Sequence, residues 1–105
     1  MTLSKKKLKL LQKKQLQLLL NEWKIKGAKK WGKKCEICSS KEYIQGHHFF
    51  PRKHYKELEL DVDNYVPLCR SHHFQLERLK RFDIMFQIII KRGIKWLKKL
   101  RKKIT

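Results

Sequence analysis

Every cysteine, every histidine and both prolines of this 105-residue chain fall between residues 33 and 73. The same stretch holds few leucines, so it has little to bury and cannot close around an apolar core of its own. Its side chains name another source of folding energy. Cys35-x-x-Cys38 and Cys69-x-x-His72 are two chelating pairs with thirty residues between them. Each pair can grip an ion from a tight turn or a helix start, and together they make a tetrahedral site of three sulfurs and one imidazole. Thiolate ligands favour zinc over magnesium or calcium. Four protein ligands leave no open position, so a zinc here is structural, and its coordination supplies folding energy that burial does not. A chance gathering of thiols would not put every cysteine into the pairing pattern.

Charge bears on partners. The chain carries 28 Lys+Arg against 9 Asp+Glu, a formal net charge of +19. Such a field attracts polyanions at long range and works against self-association. Nucleic acid, an acidic membrane surface or an acidic protein would each answer to it. Because the basic residues run through the whole chain and are not confined to a tail, nucleic acid is the expected partner. Charge alone implies no catalysis. The longest apolar runs, Leu18–Leu20 and Ile88–Ile90, are too short to span a bilayer. Lys13 and Lys14 interrupt what a signal peptide would need as an apolar stretch. The expectation is an intracellular protein, in the cytoplasm or at the nucleoid, and an odd number of cysteines argues against a disulfide framework.

Three regions are expected within one domain: a basic N-terminal helix and link over 1–32, a metal-bearing core over 33–81, and a basic C-terminal helix over 82–105. Leu16, Leu19, Leu20 and Trp23 repeat at helical spacing and predict a helix over 3–26. Gly27 and Gly32 bracket a basic link that ends it. Tyr43–Phe50 and Tyr65–Leu68 have strand-like content, with a polar loop over Arg52–Asp63 that has room for a helical turn. A helix begins near Arg70–Ser71 and runs to about Arg81. A last helix spans 83–103, with Ile84, Met85, Ile88, Ile89, Trp96, Leu97 and Leu100 on one face and Gly93 as a break or kink. Trp23, Trp31 and Trp96 read as core or interface residues rather than base-stacking groups.

A zinc site does not need the remaining polar residues. His47-His48 stands before Phe49-Phe50-Pro51, Asp63-Asn64 before Tyr65-Val66-Pro67-Leu68-Cys69, and His73 directly after His72. In order, CEIC, HHFFP and DNYVPLCRSHH resemble the HNH nuclease family, over roughly Cys35–Glu77. Zinc-stapled phage members of that family, of the recombination endonuclease VII kind, are similar. The resemblance implies an α+β, mostly helical protein: a ββα-metal HNH core with structural zinc, flanked by N-terminal and C-terminal helices. It implies a DNA endonuclease that leaves 5′-phosphate and 3′-hydroxyl ends. His48 matches the general base, and Asn64 the asparagine that fixes the loop and orients the histidine. His47 and His73 match ligands of a catalytic divalent ion. Glu77, one helical turn after His73, shares its face and is a candidate third ligand.

Those residue types suit the chemistry. A phosphodiester repels nucleophiles and has a poor leaving group. An ion contacting both the phosphate and the departing oxygen relieves the two problems. An imidazole with an unperturbed pKa of about 6.5 suits a base near neutral pH. Arg52, Lys53 and Lys56, just beyond His48, are candidates to hold the DNA backbone, and His54 is a phosphate contact or simply exposed. Two departures from the family pattern matter. His47 stands where Asp is common, which softens the site and admits Mn2+, Ni2+, Co2+ or Zn2+ beside Mg2+. His72 stands where a fourth cysteine is usual, so His72 and His73 are interchangeable at this level. Two chains pairing through the outer helices would make paired cuts. The competing reading is a zinc-dependent nucleic-acid-binding module without catalysis, which needs neither His48 nor His73.

Overall fold

The computed structural model describes residues 4–104. It is an α+β protein in which four helices surround a two-stranded antiparallel sheet. Helix α1 spans Lys5–Trp31, strand β1 Ile44–His48, strand β2 Tyr65–Cys69, helix α2 Arg70–Glu77, helix α3 Asp83–Arg92 and helix α4 Ile94–Lys102. Among the described residues, no helix is long and apolar enough to cross a membrane.

Helix α1 starts where the Ser4 side chain accepts the Lys7 N–H at 3.3 Å, satisfying one of the donors a helix start leaves free. Leu3, the expected first residue, lies outside the described residues. The expected end is corrected: the helix runs through Gly27 and stops at Gly32, whose φ of 103° suits only glycine and whose N–H bonds to the Ala28 carbonyl. Gly27 is there for another reason. A Cβ at that position would lie 2.2 Å from Cγ of Tyr65, so the missing side chain lets a tyrosine ring sit against the helix backbone. Only the C-terminal half of the predicted apolar stripe is covered. Leu20 and Trp23 are buried with Tyr65, while Leu16 and Leu19 stay exposed.

Strands β1 and β2 pair so that Gly46 faces Pro67, His47 faces Val66 and His48 faces Tyr65. Proline tolerates this place because a two-stranded sheet leaves one edge of each strand unpaired. Strand β1 is shorter than the expected Tyr43–Phe50, and β2 reaches one residue past the expected Leu68. The 49–64 connection contains two short 3-10 turns, Lys56–Leu58 and Val62–Asn64, and Phe49 N–H bonds to the Asn64 carbonyl where the connection closes. Helix α2 ends at Glu77, short of the expected Arg81. The chain turns there, with Lys80 at a φ of 55°, to send α3 back across the core. The predicted break at Gly93 is present: its φ is 95° and it separates α3 from α4.

All five residues of β2 are buried. Val66 and Leu68 join Phe49, Leu58, Leu76, Ile84, Ile88, Trp96 and Leu100 in the main core, which Cys35 and Cys69 also enter. Burying a side chain of this kind is worth roughly 1.5–3 kcal/mol, so α3 and α4 hold down a sheet too small to stand alone.

Candidate functional site

Helix α2 carries His72 and His73 side by side, and about 100° of helical rotation sends them to different clusters. His72 joins Cys35, Cys38 and Cys69; His73 joins His47 and Glu77; within each group all ligand atoms lie within 4.8 Å of one another.

The sulfur cluster forms where a tight turn meets a helix start. Cys35 N–H bonds to the Ser40 carbonyl and Ser39 N–H to the Cys35 carbonyl, with Ser39 at a φ of 63°. Cys69 is the N-cap of α2, its sulfur accepting the His72 N–H. Buried Glu36 ties the turn to α3, taking a hydrogen bond from Arg92 Nε at 2.8 Å. Cys38 Sγ lies 3.7 Å from Cys69 Sγ, and His72 Nδ1 lies 3.2 Å from Cys69 Sγ and 3.7 Å from Cys35 Sγ. Around a tetrahedral zinc with Zn–S near 2.3 Å and Zn–N near 2.0 Å, neighbouring donors fall roughly 3.5–3.8 Å apart. The donor set can therefore hold a structural metal. Burial pushes the Cys69 thiol up. Burial also opposes ionisation of Cys35, but backbone N–H groups of Cys69, Cys38 and Ile37 outweigh it and bring that thiol below its ordinary value.

The second cluster borders a pocket of about 230 Å³ lined by Gly46, His47, His48, Pro51, Arg52, Lys53, His73 and Glu77. Glu77 Oε1 lies 3.3 Å from both His47 Nδ1 and His73 Nε2, and the two imidazole rings meet edge to face at 5.4 Å. Two imidazoles and a carboxylate suit a borderline divalent ion and leave coordination positions open. Burial, and after it the neighbouring His73, push His47 down to about 4, so its ring is neutral at pH 7 and has a lone pair to offer.

His48 ends β1 on the same pocket. Its Nε2 lies 2.9 Å from the Glu59 carbonyl oxygen. A carbonyl only accepts, so Nε2 carries the proton and Nδ1 keeps the lone pair. Burial lowers the His48 pKa below its ordinary value, with Arg52 and Lys24 adding to the effect and the Glu59 bond opposing it. Asn64 is wholly buried. It accepts the Phe50 N–H and donates to the Phe50 and Leu58 carbonyls. It thus staples both ends of the connection that supplies Glu59. Arg52 and Lys53 line the pocket, whereas Lys56 lies on a separate cleft with Glu57, Glu59, Leu60 and Asp61.

Residues 35–77 match the model of the HNH endonuclease family. This segment is an HNH domain. The match holds both clusters, His48 and Asn64, while α1, α3 and α4 lie outside it. No curated protein and no solved structure matches the chain. HNH domains belong to nucleases, so the family points to nuclease chemistry.

Sequence reasoning missed what the flanking helices do around the HNH domain. All three tryptophans donate their indole N–H to successive carbonyls of one short loop: Trp23 to Asp61 at 2.7 Å, Trp31 to Val62 at 2.9 Å and Trp96 to Asp63 at 2.8 Å. Lys30 and Lys99 pair with the Asp63 carboxylate and Lys103 with Asp61. Burial would raise the Asp63 pKa, but the hydrogen bonds from the two lysines hold it below the usual carboxylate value. Reading the tryptophans as core or interface residues agrees with the burial of Trp23 and Trp96 and the partial burial of Trp31. Nothing in their spacing signals a shared target.

Proposed function

We propose that this protein is a metal-dependent DNA endonuclease that hydrolyses phosphodiester bonds to 5′-phosphate and 3′-hydroxyl ends. The observation that carries the reading is one pocket bordered by His47, His48, His73 and Glu77 with Arg52 and Lys53 at its edge. Cys35, Cys38, Cys69 and His72 would hold the structural zinc. His47, His73 and Glu77 would hold the catalytic divalent ion, Mg2+ or Mn2+, with Ni2+, Co2+ or Zn2+ also suited to two imidazoles. When bound, that ion supplies Lewis-acid polarisation of the scissile phosphate and neutralises charge on the departing oxygen.

The chain's own groups do the rest. His48, protonated on Nε2 and held by the Glu59 carbonyl, takes a proton on Nδ1 from the attacking water. The water oxygen bonds to phosphorus as the bond to the 3′ oxygen breaks, and that oxygen leaves with a proton from solvent. Asn64 keeps the 49–64 connection in place and with it the acceptor of His48. Arg52 and Lys53 neutralise backbone phosphates at the pocket, and Lys56 would meet phosphate outside it, from its separate cleft. Such contacts position without reading sequence, so base preference is weak and affinity falls steeply with salt. The enzyme acts inside the cell, in phage or mobile-element DNA metabolism, by nicking or by cutting branched DNA; pairing through the outer helices would make double cuts.

Supercoiled plasmid incubated with Mn2+ or Mg2+ tests this. Wild type is expected to nick. His48→Ala is expected to lose about 10²–10⁴-fold in rate while keeping zinc content and DNA affinity. DNA binding without nicking under any divalent ion would leave a zinc-dependent nucleic-acid-binding module instead, and a fully active His48→Ala would remove the base assignment.

A further inference from the structure

Trp23 belongs to α1, upstream of the segment that matches the HNH family. It is buried, and its indole lies flat against the His48 imidazole with ring centroids 3.8 Å apart and planes 8° from parallel. The indole is itself held at two edges. Its Nε1–H donates to the Asp61 carbonyl, and Tyr65 meets it edge-on at 5.0 Å.

A general base must aim one nitrogen at water. The Glu59 carbonyl fixes only the Nε2 end of His48, and a single hydrogen bond leaves the ring free to swing about that atom. A second plane against the imidazole face removes the swing. Both constraints also share one origin: Glu59 and Asp61 are two residues apart in the same connection, so the acceptor of His48 and the acceptor of Trp23 move together. Trp31 and Trp96 donate to the next two carbonyls, but they face the Arg92 guanidinium, not a histidine.

We propose that Trp23 is a positioning residue for the HNH reaction: its ring fixes the plane of His48 so that Nε2 stays on Glu59 and Nδ1 stays available to the reacting water. Helix α1 is then part of the catalytic apparatus and not only a packing element. This rests on the reading of His48 as the base.

The test uses the full chain and supercoiled plasmid with Mn2+, comparing Trp23→Leu, Trp23→Phe, Trp31→Phe and His48→Ala. Trp31→Phe removes an equivalent indole hydrogen bond without touching His48. Trp23→Leu is expected to lower kcat about tenfold or more with KM within about twofold, since small misplacements of a reacting group are costly. Trp23→Phe, which keeps a flat ring, is expected to recover to within about threefold of wild type on the same ground, and Trp31→Phe to match wild type. Ring 15N spectra of His48 are expected to show a single Nε2–H tautomer in wild type and Trp23→Phe. A wild-type kcat in Trp23→Leu, or a Trp23→Phe as slow as Trp23→Leu, overturns the proposal. Should Trp23→Leu not fold, mixed His48 tautomers in wild type would overturn it equally. A fast His48→Ala brings down the base assignment and this proposal with it. A slow His48→Ala beside a fast Trp23→Leu removes the positioning role alone.

Discussion

The two ligand clusters start at adjacent residues of α2 and differ in how many donors the chain provides. Around His72 there are four, and two of the cysteines are part of the main core. Around His73 there are three, and Glu77 is half exposed beside the pocket. Four donors complete a tetrahedral shell and three do not, so the first suits a structural metal, while on the proposed reading the second leaves positions for a substrate. The difference teaches that two clusters sharing histidine are told apart both by the number of donors and by their type, three thiolates on one side and a carboxylate on the other.

The largest effect expected from breaking that division is at Cys69. Serine can still cap α2, so Cys69→Ser removes the thiolate without removing the helix start. We expect loss of bound zinc and of the cooperative unfolding transition seen by circular dichroism, because metal binding in such a site is folding energy. His73→Ala should instead keep zinc and the melting curve while nicking falls at least about a hundredfold, a size usual for losing a catalytic group. If His73→Ala lost zinc and Cys69→Ser did not, the two clusters would have to exchange roles.

A smaller effect sharpens the comparison from outside the clusters. Alanine for glycine in a helix ordinarily stabilises by about 1 kcal/mol. At Gly27 the new Cβ would meet the Tyr65 ring, so Gly27→Ala is expected to destabilise by about 1–3 kcal/mol, read as a lower Tm with zinc content unchanged. A raised Tm would mean that α1 is not seated on β2 this way.

The smallest effect is at Asp63, held by Lys30 and Lys99, both of which are half exposed. Asp63→Asn is expected to cost about 1 kcal/mol near neutral pH, as partly exposed pairs do. The sign with pH follows from a folded pKa below the ordinary 3.8. The contribution is whole above the unfolded value and drains away as pH falls through the lower folded one. Urea denaturation of wild type and Asp63→Asn should therefore converge in acid. A constant gap down to pH 2 would assign the effect to packing.

How much could be read in advance differs by residue. Cys35, Cys38 and Cys69 were legible because chelating pairs declare themselves at short spacing. Gly93 was legible because a glycine inside an apolar periodicity has few other uses. Gly27 misled for the same reason: local rules read glycine as a helix end, and only the tyrosine from β2 explains it. The choice between His72 and His73 was open in the sequence and depends on the rotation of one helix over two clusters. Trp23 gave no signal, since its contacts with Asp61 and His48 join parts of the chain far apart in sequence.

By itself, then, the sequence determined which donors exist and at what spacing they stand, while the expectation that the middle of the chain has little to bury is corrected by Phe49, Leu58, Val66 and Leu68, which lie in the main core. Donor type and spacing are local properties of the chain. The tertiary structure alone decided that three tryptophans from two outer helices would meet one loop, and that a ring from α1 would lie on His48. Such contacts come from how helices settle on a sheet, and packing of that kind depends on shape across the whole core.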